Sequence, residues 1–311
     1  MTSLGKAVDD YLRLRRALGF KLRDTEIALH DFVSFLNRQG ASRITTELAL
    51  QWATQPQHAE PSHRARRLGI VRLFAEYRSA CDATTEVPAP GLLPGRYKRK
   101  DPYLYSDAEV RRLLTAAREL PSITGLRRRS YSTLFGLLAV TGLRISEIVA
   151  LDVADVDLRG ALLTIRYTKF GKSRLVPVHS STQRALRSYA RHRDRIHSQP
   201  LTPSFFVSER GTRLSHWAVR RTFVGLSHQI GLRKPADRFG PRLHDFRHRF
   251  AVRTLLGWYR RGVDIDPRMP VLSAYLGHAH VTDTYWYLSA VPELLCAAAR
   301  RLERSARREK A

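Results

Sequence analysis

Apolar residues recur at helical spacing along the first eighty positions. In DTEIALHDFVSFLNRQG, Leu29, Phe32, Val33 and Leu36 stand at i, i+3, i+4 and i+7 ahead of Gly40, which predicts one buried helical stripe with a stop behind it. In PSHRARRLGIVRLFAEYRSAC, Leu68, Val71, Phe74 and Ala75 share a face while Arg64, Arg66, Arg67 and Arg72 occupy the rest of the surface. Residues 1–82 therefore read as a helical domain. The rhythm stops at ATTEVPAPGLLPGRYKRKDPYL, residues 83–104, where clustered prolines and the run RYKRK predict a linker, because proline fixes φ and removes a donor while like charges resist packing. Helical order resumes at Ser106, which forms a capping-box pattern with Glu109 and opens AEVRRLLTAAREL. A second domain is expected over 105–311.

That domain is mostly helical in pattern. ALLTIRYTKFGKSRLVPV carries two β-favouring runs around Phe170-Gly171 and predicts a hairpin, and a short strand is expected at Ser204–Ser208. Helices are expected in SHWAVRRTFVGLSHQIG, in LHDFRHRFAVRTLLGWY, through the stretch Tyr275–Leu288, and in the C-terminal PELLCAAARRLERSARREK, where Leu294, Leu295 and Ala298 or Ala299 form a small apolar stripe. No internal repeat is present. The fold class is mainly α with a small antiparallel β-sheet.

Composition narrows the partners. The chain has 54 Lys and Arg against 28 acidic residues, a formal charge of +26, far more than solubility requires, which points to a polyanion. Residues 1–100 hold 17 basic and 10 acidic residues, or +7, leaving +19 for the remainder, so both domains are expected to touch nucleic acid. Cys81 and Cys296 are the two cysteines, with no metal-ligand spacing around either, so neither a disulfide framework nor a zinc site is indicated and a reducing cytoplasm fits. MTSLGKAVDDYL lacks a signal-peptide core, and no stretch approaches the length of apolar sequence that spans a bilayer. A soluble protein without membrane partners is expected.

Three patches concentrate candidate chemistry. TGLRISE places Arg144 at a helix start with Glu147 one turn on, close enough to orient the guanidinium. HDFRH places His244 and Arg247 on one helix face. YLGHAHVTDTYWYL crowds three tyrosines and two histidines together. Arginines, imidazoles and a tyrosine have one economical joint use, which is to hold a phosphodiester while a hydroxyl attacks it.

These boxes resemble the tyrosine recombinase (phage integrase) family, whose signature is an Arg in a TGLRxSE-type box, a Lys on a β-hairpin, an HxxRH box, an LGH box and a Tyr nine residues after the last His. Counting nine from His278 reaches Tyr287. The resemblance covers roughly residues 106–290, and more loosely residues 1–82 as the helical, SAM-like core-binding domain that such enzymes carry. It implies that Arg144 and Arg247 clamp the scissile phosphate and that His278 adds a third donor. His244 would act in proton transfer with the tyrosine or as a further phosphate ligand. Lys169 would protonate the leaving 5′ oxygen, with Phe170 standing where the family often has glycine and Lys172 a near neighbour. Tyr287 would be the nucleophile. In a helix Tyr285 points about 200° away from it, Tyr275 reads as core, and His280 as a surface residue. Neither ATP nor a metal is implied. Arg64, Arg67, Lys98, Arg99, Lys100 and Lys172 are expected to contact DNA.

The implied activity is site-specific cutting and rejoining of double-stranded DNA through a 3′-phosphotyrosyl bond, in a homo-tetramer on recombination sites, for integration or rearrangement of a mobile element. The YWYL ending is closer to transposon-borne members, and the start directly at the helical domain argues against an added arm-binding domain. Alternatives are Xer-like dimer resolution, a type IB topoisomerase, or a DNA-binding accessory protein that has lost its chemistry.

Overall fold

The stripe Leu29, Phe32, Val33 and Leu36 is buried on a helix, as its spacing requires, and faces Leu68, Val71, Phe74 and Ala75 of another. The structure, a computed structural model, describes residues 3–95, 102–166, 173–237, 240–290, 293–296 and 298–299. Contacts between Cα atoms divide the chain into two compact units, Met1–Lys100 and Asp101–Ala311.

Four helices build the first unit: α1 (Leu4–Ala17), α2 (Arg23–Arg38), α3 (Thr46–Thr54) and α4 (Pro61–Ser79). Local chemistry sets their starts. Ser3 Oγ accepts from Lys6 N, Thr45 Oγ1 accepts from Leu48 N, and Pro61 occupies the first turn of α4, where no backbone donor is needed. Trp52 is fully buried in the core and donates its indole N–H to Asp31 at 2.9 Å. Part of the stretch expected as a linker belongs to this unit. Glu86 N donates to Ile44 O at 3.0 Å, its carboxylate accepts from Thr46 N at 2.8 Å, and Leu93 packs on the core. A carboxylate at the start of α3 meets unpaired N–H groups, and that contact holds the segment against the helices. Lys98, Arg99 and Lys100 lie outside the described residues.

The second unit opens with the capping box as expected: Glu109 N donates to Ser106 Oγ at 3.1 Å and Ser106 N to Glu109 Oε2 at 2.7 Å, starting α5 (Asp107–Arg118). The buried helix α6 (Leu126–Thr141) is followed by α7 (Ile145–Ala150) and a three-stranded antiparallel sheet of β1 (Val156–Asp157), β2 (Leu162–Ile165) and β3 (Arg174–Pro177). Leu163 pairs with Val176 in the hairpin, and both are buried. The hairpin turn, with Lys169 and Lys172, lies outside the described residues. Then come α8 (Ser180–Ile196), α9 (His216–Gln229), α10 (Asp245–Arg260), α11 (Met269–Leu276) and α12 (Thr282–Ala290).

Two elements differ from expectation. Ser204–Ser208 is not a strand: it makes isolated bridges, Asp152 with Ser204 and Val207 with Arg213. Phe205, Phe206 and Val207 are all buried in succession, so the run packs on both sides, with Tyr189 against both phenylalanine rings, and has no solvent face to alternate with. The stretch Tyr275–Leu288 is two helices rather than one, because Gly277 takes φ +69° and ends α11, with His278 N turned back onto Ser273 O. That break puts His278 in a connection and Tyr287 on the next helix.

Candidate active site

Helix α6 ends at Gly142, whose φ of +62° turns the chain so that Arg144 caps α7. Glu147, one turn on, accepts from Arg144 N and from its guanidinium, each at 2.9 Å. The same carboxylate receives a two-point contact from Arg174 of β3, at 3.1 and 2.9 Å. Burial of Glu147 opposes its charge, but the bonds and charge of Arg174, with those of Arg144, outweigh burial and hold its carboxyl below the ordinary range. Arg144 also donates to Gly277 O at 3.2 Å, and Arg174 Nε to Tyr275 O at 2.8 Å. A side-chain carbon on Gly277 would lie 2.6 Å from Arg174, so this glycine is needed for space as well as for backbone angle.

Arg247, on the first turn of α10, is 1% exposed and donates to Gly142 O at 3.1 Å and Leu276 O at 2.6 Å. One guanidinium thus joins the end of α6, two residues before Arg144, to the end of α11, two residues before His278. Burial, then the nearby charge of Arg144, lowers its pKa to about 10, which leaves it cationic at neutral pH. His244 caps the same helix, and burial, followed by the charges of Arg247 and Arg242, pushes its pKa down to about 4, so its imidazole is neutral near pH 7. His278 Nδ1 lies 2.7 Å from Thr284 Oγ1, a contact that orients the ring, and the ring sits nearly parallel to Tyr287 with centroids 6.4 Å apart. Tyr287 is 2% exposed, and its hydroxyl lies 3.1 Å from Nδ1 of His248. Tyr285, in contrast, is 42% exposed.

The structure thus brings Arg144, His244, Arg247, His278 and Tyr287 into one cluster within the second unit. Arg64 and Arg67 are elsewhere and otherwise engaged. Arg64 donates from two nitrogens to Pro56 O, at 3.2 and 3.1 Å. Arg67 lies over the Trp52 ring at 3.7 Å and donates to Trp52 O at 3.1 Å, so both guanidiniums bind α4 to the end of α3, a use beside the DNA contact expected of them. A surplus of arginine on a helix face cannot by itself distinguish these uses. Arg174 and His248 also belong to the site, although neither was expected there. The second had a signal: HDFRH repeats histidine at i and i+4, the spacing that stacks two rings on one face.

Guanidiniums and imidazoles packed around a phenol form an array of N–H donors suited to the oxygens of a phosphodiester, next to an oxygen able to attack its phosphorus. Among the described residues, no group of three or more His, Cys, Asp or Glu side chains is placed to hold a metal ion, and no helix is long and apolar enough to cross a membrane.

The phage integrase family profile matches residues 104–293. The chain belongs to the phage integrase family. Its relatives include the Sinorhizobium fredii protein named as integrase/recombinase y4rB, 53% identical over 98% of each chain. The tyrosine recombinase XerC of Chlamydia caviae is 30% identical over 92% of this chain and 94% of its own length. Among solved structures, the Tn1549 transposon integrase in complex with transposon right end DNA superposes with a TM-score of 0.67 at 15% identity, covering 98% of this chain and all of that one. A lambda integrase tetramer bound to a Holliday junction gives 0.63 at 16% identity, covering 91% and 79%. These structural likenesses support the fold. As a phage integrase family member, this protein is a tyrosine-type DNA recombinase, an enzyme of site-specific strand breakage and rejoining.

Proposed function

We propose that this recombinase exchanges strands through a covalent 3′-phosphotyrosyl intermediate on Tyr287. Arg144, Arg247 and His278 would hold the non-bridging oxygens of the scissile phosphate, and the neutral His244 would contribute one further N–H. These contacts strengthen as negative charge builds on the pentacoordinate phosphate, which is the condition for catalysis rather than mere binding. As the Tyr287 oxygen bonds to phosphorus, the bond to the 5′ oxygen breaks and that oxygen takes a proton. Lys169, placed on the hairpin by the family resemblance, is the proposed donor. No step needs a metal, and the energy of the broken bond is retained in the phosphotyrosine for rejoining.

The observation that carries this reading is the position of Tyr287, buried in the arginine and histidine cluster where its hydroxyl is among the groups that act on Arg247, while Tyr285 faces outward on the same helix. The test is a nicked duplex, selected from random-sequence DNA for cleavage by the wild-type protein, from which the 5′ fragment diffuses away and leaves the adduct trapped. Tyr287→Phe removes one oxygen and little volume, so DNA affinity should persist while the adduct disappears; Tyr285→Phe should still form it, and EDTA should not stop it. Peptide mapping of the adduct to Tyr285 would overturn the assignment.

The substrate proposed is the DNA of a mobile element, and the working form a homo-tetramer on paired sites. Similarity across nearly the full chain to an integrase/recombinase supports the first. The shared fold with a tetrameric integrase supports the second. Recovery of integrated product between two separate DNAs, and the mass of the complex on paired sites, test each in turn.

A further inference from the structure

The attack requires an acceptor for the Tyr287 proton. Both partners of the hydrogen bond between the Tyr287 hydroxyl and His248 Nδ1, at 3.1 Å, are nearly excluded from water, with His248 5% and Tyr287 2% exposed. A phenol shielded to this extent must pass its proton to a neighbouring group. His248 follows Arg247 directly on α10, and its ring lies 4.8 Å from that of His244 and 5.5 Å from that of Tyr287.

We propose that His248 is a catalytic residue of this recombinase, the general base that takes the Tyr287 hydroxyl proton on Nδ1 as the phenolic oxygen attacks phosphorus. The proposal rests on the reading of Tyr287 as nucleophile. In the cleavage step the Tyr287 O–H bond breaks and an N–H bond forms on His248. The O–P bond forms, the bond from phosphorus to the 5′ oxygen breaks, and that oxygen takes its proton from the acid assigned above. Rejoining reverses each transfer, so the imidazolium returns its proton to the departing phenolate. A phenol donor makes Nδ1 the acceptor and leaves the ring proton on Nε2, the neutral tautomer that a base requires. His244 is then free to serve as a phosphate ligand.

The titratable and charged groups that bear on His248 are His244, Asp245, Arg247 and Arg249 on its own helix, Tyr287 and Asp283 on α12, which packs against α10, and His278, whose ring lies along that of Tyr287, while Arg144, Glu147 and Arg174 act on the neighbouring Arg247. Helix α10 bonds to the C-terminal end of α6 through Ala139 O and Gly142 O, and Leu134–Thr141 there has no titratable side chain. Of the other imidazoles, burial and the charge of Arg247 push His244 down to about 4, so His278 is the one that has to be separated from His248.

The experiment is single-turnover adduct formation on the selected nicked duplex, from about pH 5.5 to 9, where imidazole titrates. It compares wild type, His248→Asn, His248→Phe and Tyr287→Phe, with His248→Asn also prepared carrying a fluorinated, more acidic tyrosine at position 287. Asparagine keeps a hydrogen bond to the phenol but does not titrate. Expected are a rate loss of about 10²–10⁴-fold in both His248 variants, loss of the inflection near neutral pH in His248→Asn, and recovery of most of the rate with fluorotyrosine. If His248→Asn is as fast as wild type, His248 is not the base. If it is slow but retains the inflection, or fluorotyrosine restores nothing, His248 acts by packing alone and the proposal fails. An adduct from Tyr287→Phe would instead sink the nucleophile assignment itself.

Discussion

Arg247 is the residue where charge, burial and chemistry are least separable. It is 1% exposed, and it donates to the backbone carbonyls of Gly142 and Leu276, at the ends of α6 and α11. Lysine keeps the charge but lacks the planar fork that reaches both carbonyls and two phosphate oxygens together. Arg247→Lys should therefore cost roughly 1–3 kcal/mol of stability, the penalty for a buried acceptor left unpaired. It should also slow cleavage about 10²–10³-fold, the usual loss when one donor to a developing oxyanion is removed. Binding to uncut DNA should change little, since many other cations contribute. Thermal melting, adduct rates and filter binding measure the three effects separately, and wild-type cleavage by the lysine variant would show the contact to be structural. Arg144→Lys offers a contrast: its side chain is 28% exposed and bonded to Glu147, so the same catalytic loss should come with a smaller loss of stability.

At the scale of elements, the site depends on where helices stop. Gly142 ends α6, Gly277 ends α11, and each residue that follows them into the site owes its position to that turn. Gly277 also lies under Arg174, which binds β3 to Glu147 of α7 and to Tyr275 O of α11. Gly277→Ala should cost about 1–3 kcal/mol from the left-handed backbone alone, with a further part from collision with the guanidinium. Cleavage should fall because the loop carrying His278 must shift. The two contributions separate in a double-mutant cycle: in an Arg174→Ala background the collision is gone, and Gly277→Ala should be measurably less harmful to stability there. Strictly additive effects would show that the close approach stores no energy.

For the whole molecule the controlling quantity is charge. A net +26, divided as +7 over residues 1–100 and +19 over the rest, makes both units cationic. Arg64 and Arg67 bond to backbone carbonyls of the first unit, and its basic surplus remains. Affinity for DNA should fall steeply and linearly in log–log form with salt as counterions are released. Deleting residues 1–100 should weaken site binding and reduce the salt slope, whereas an unchanged slope would mean that the first unit makes no phosphate contacts. The apolar stripe near the C-terminus is split in the structure: Leu294 is buried in the cluster that holds Tyr287 and Leu276, while Leu295 is 53% exposed.

Several features were determined by the sequence alone because their causes are local. Periodicity at Leu29, Phe32, Val33 and Leu36 dictates a buried helical stripe, Ser106 with Glu109 dictates a helix start, and the two β-favouring runs that hold LLTI and RLVP dictate a paired hairpin, each from neighbours within a few residues. The identities of Arg144, His244, Arg247, His278 and Tyr287 as a set were legible because their order and spacing match a family signature. Their convergence was decided by tertiary structure, since residues separated by up to 143 positions meet where one Arg247 guanidinium joins the ends of α6 and α11. Tertiary structure likewise decided that Ser204–Ser208 packs on both sides without becoming a strand, and that Arg64 and Arg67 bond to carbonyls at the end of α3. It also decided that Tyr287 meets His248: the i, i+4 spacing puts that ring beside His244, but what the ring touches depends on how α12 packs against α10, and no local pattern encodes that packing.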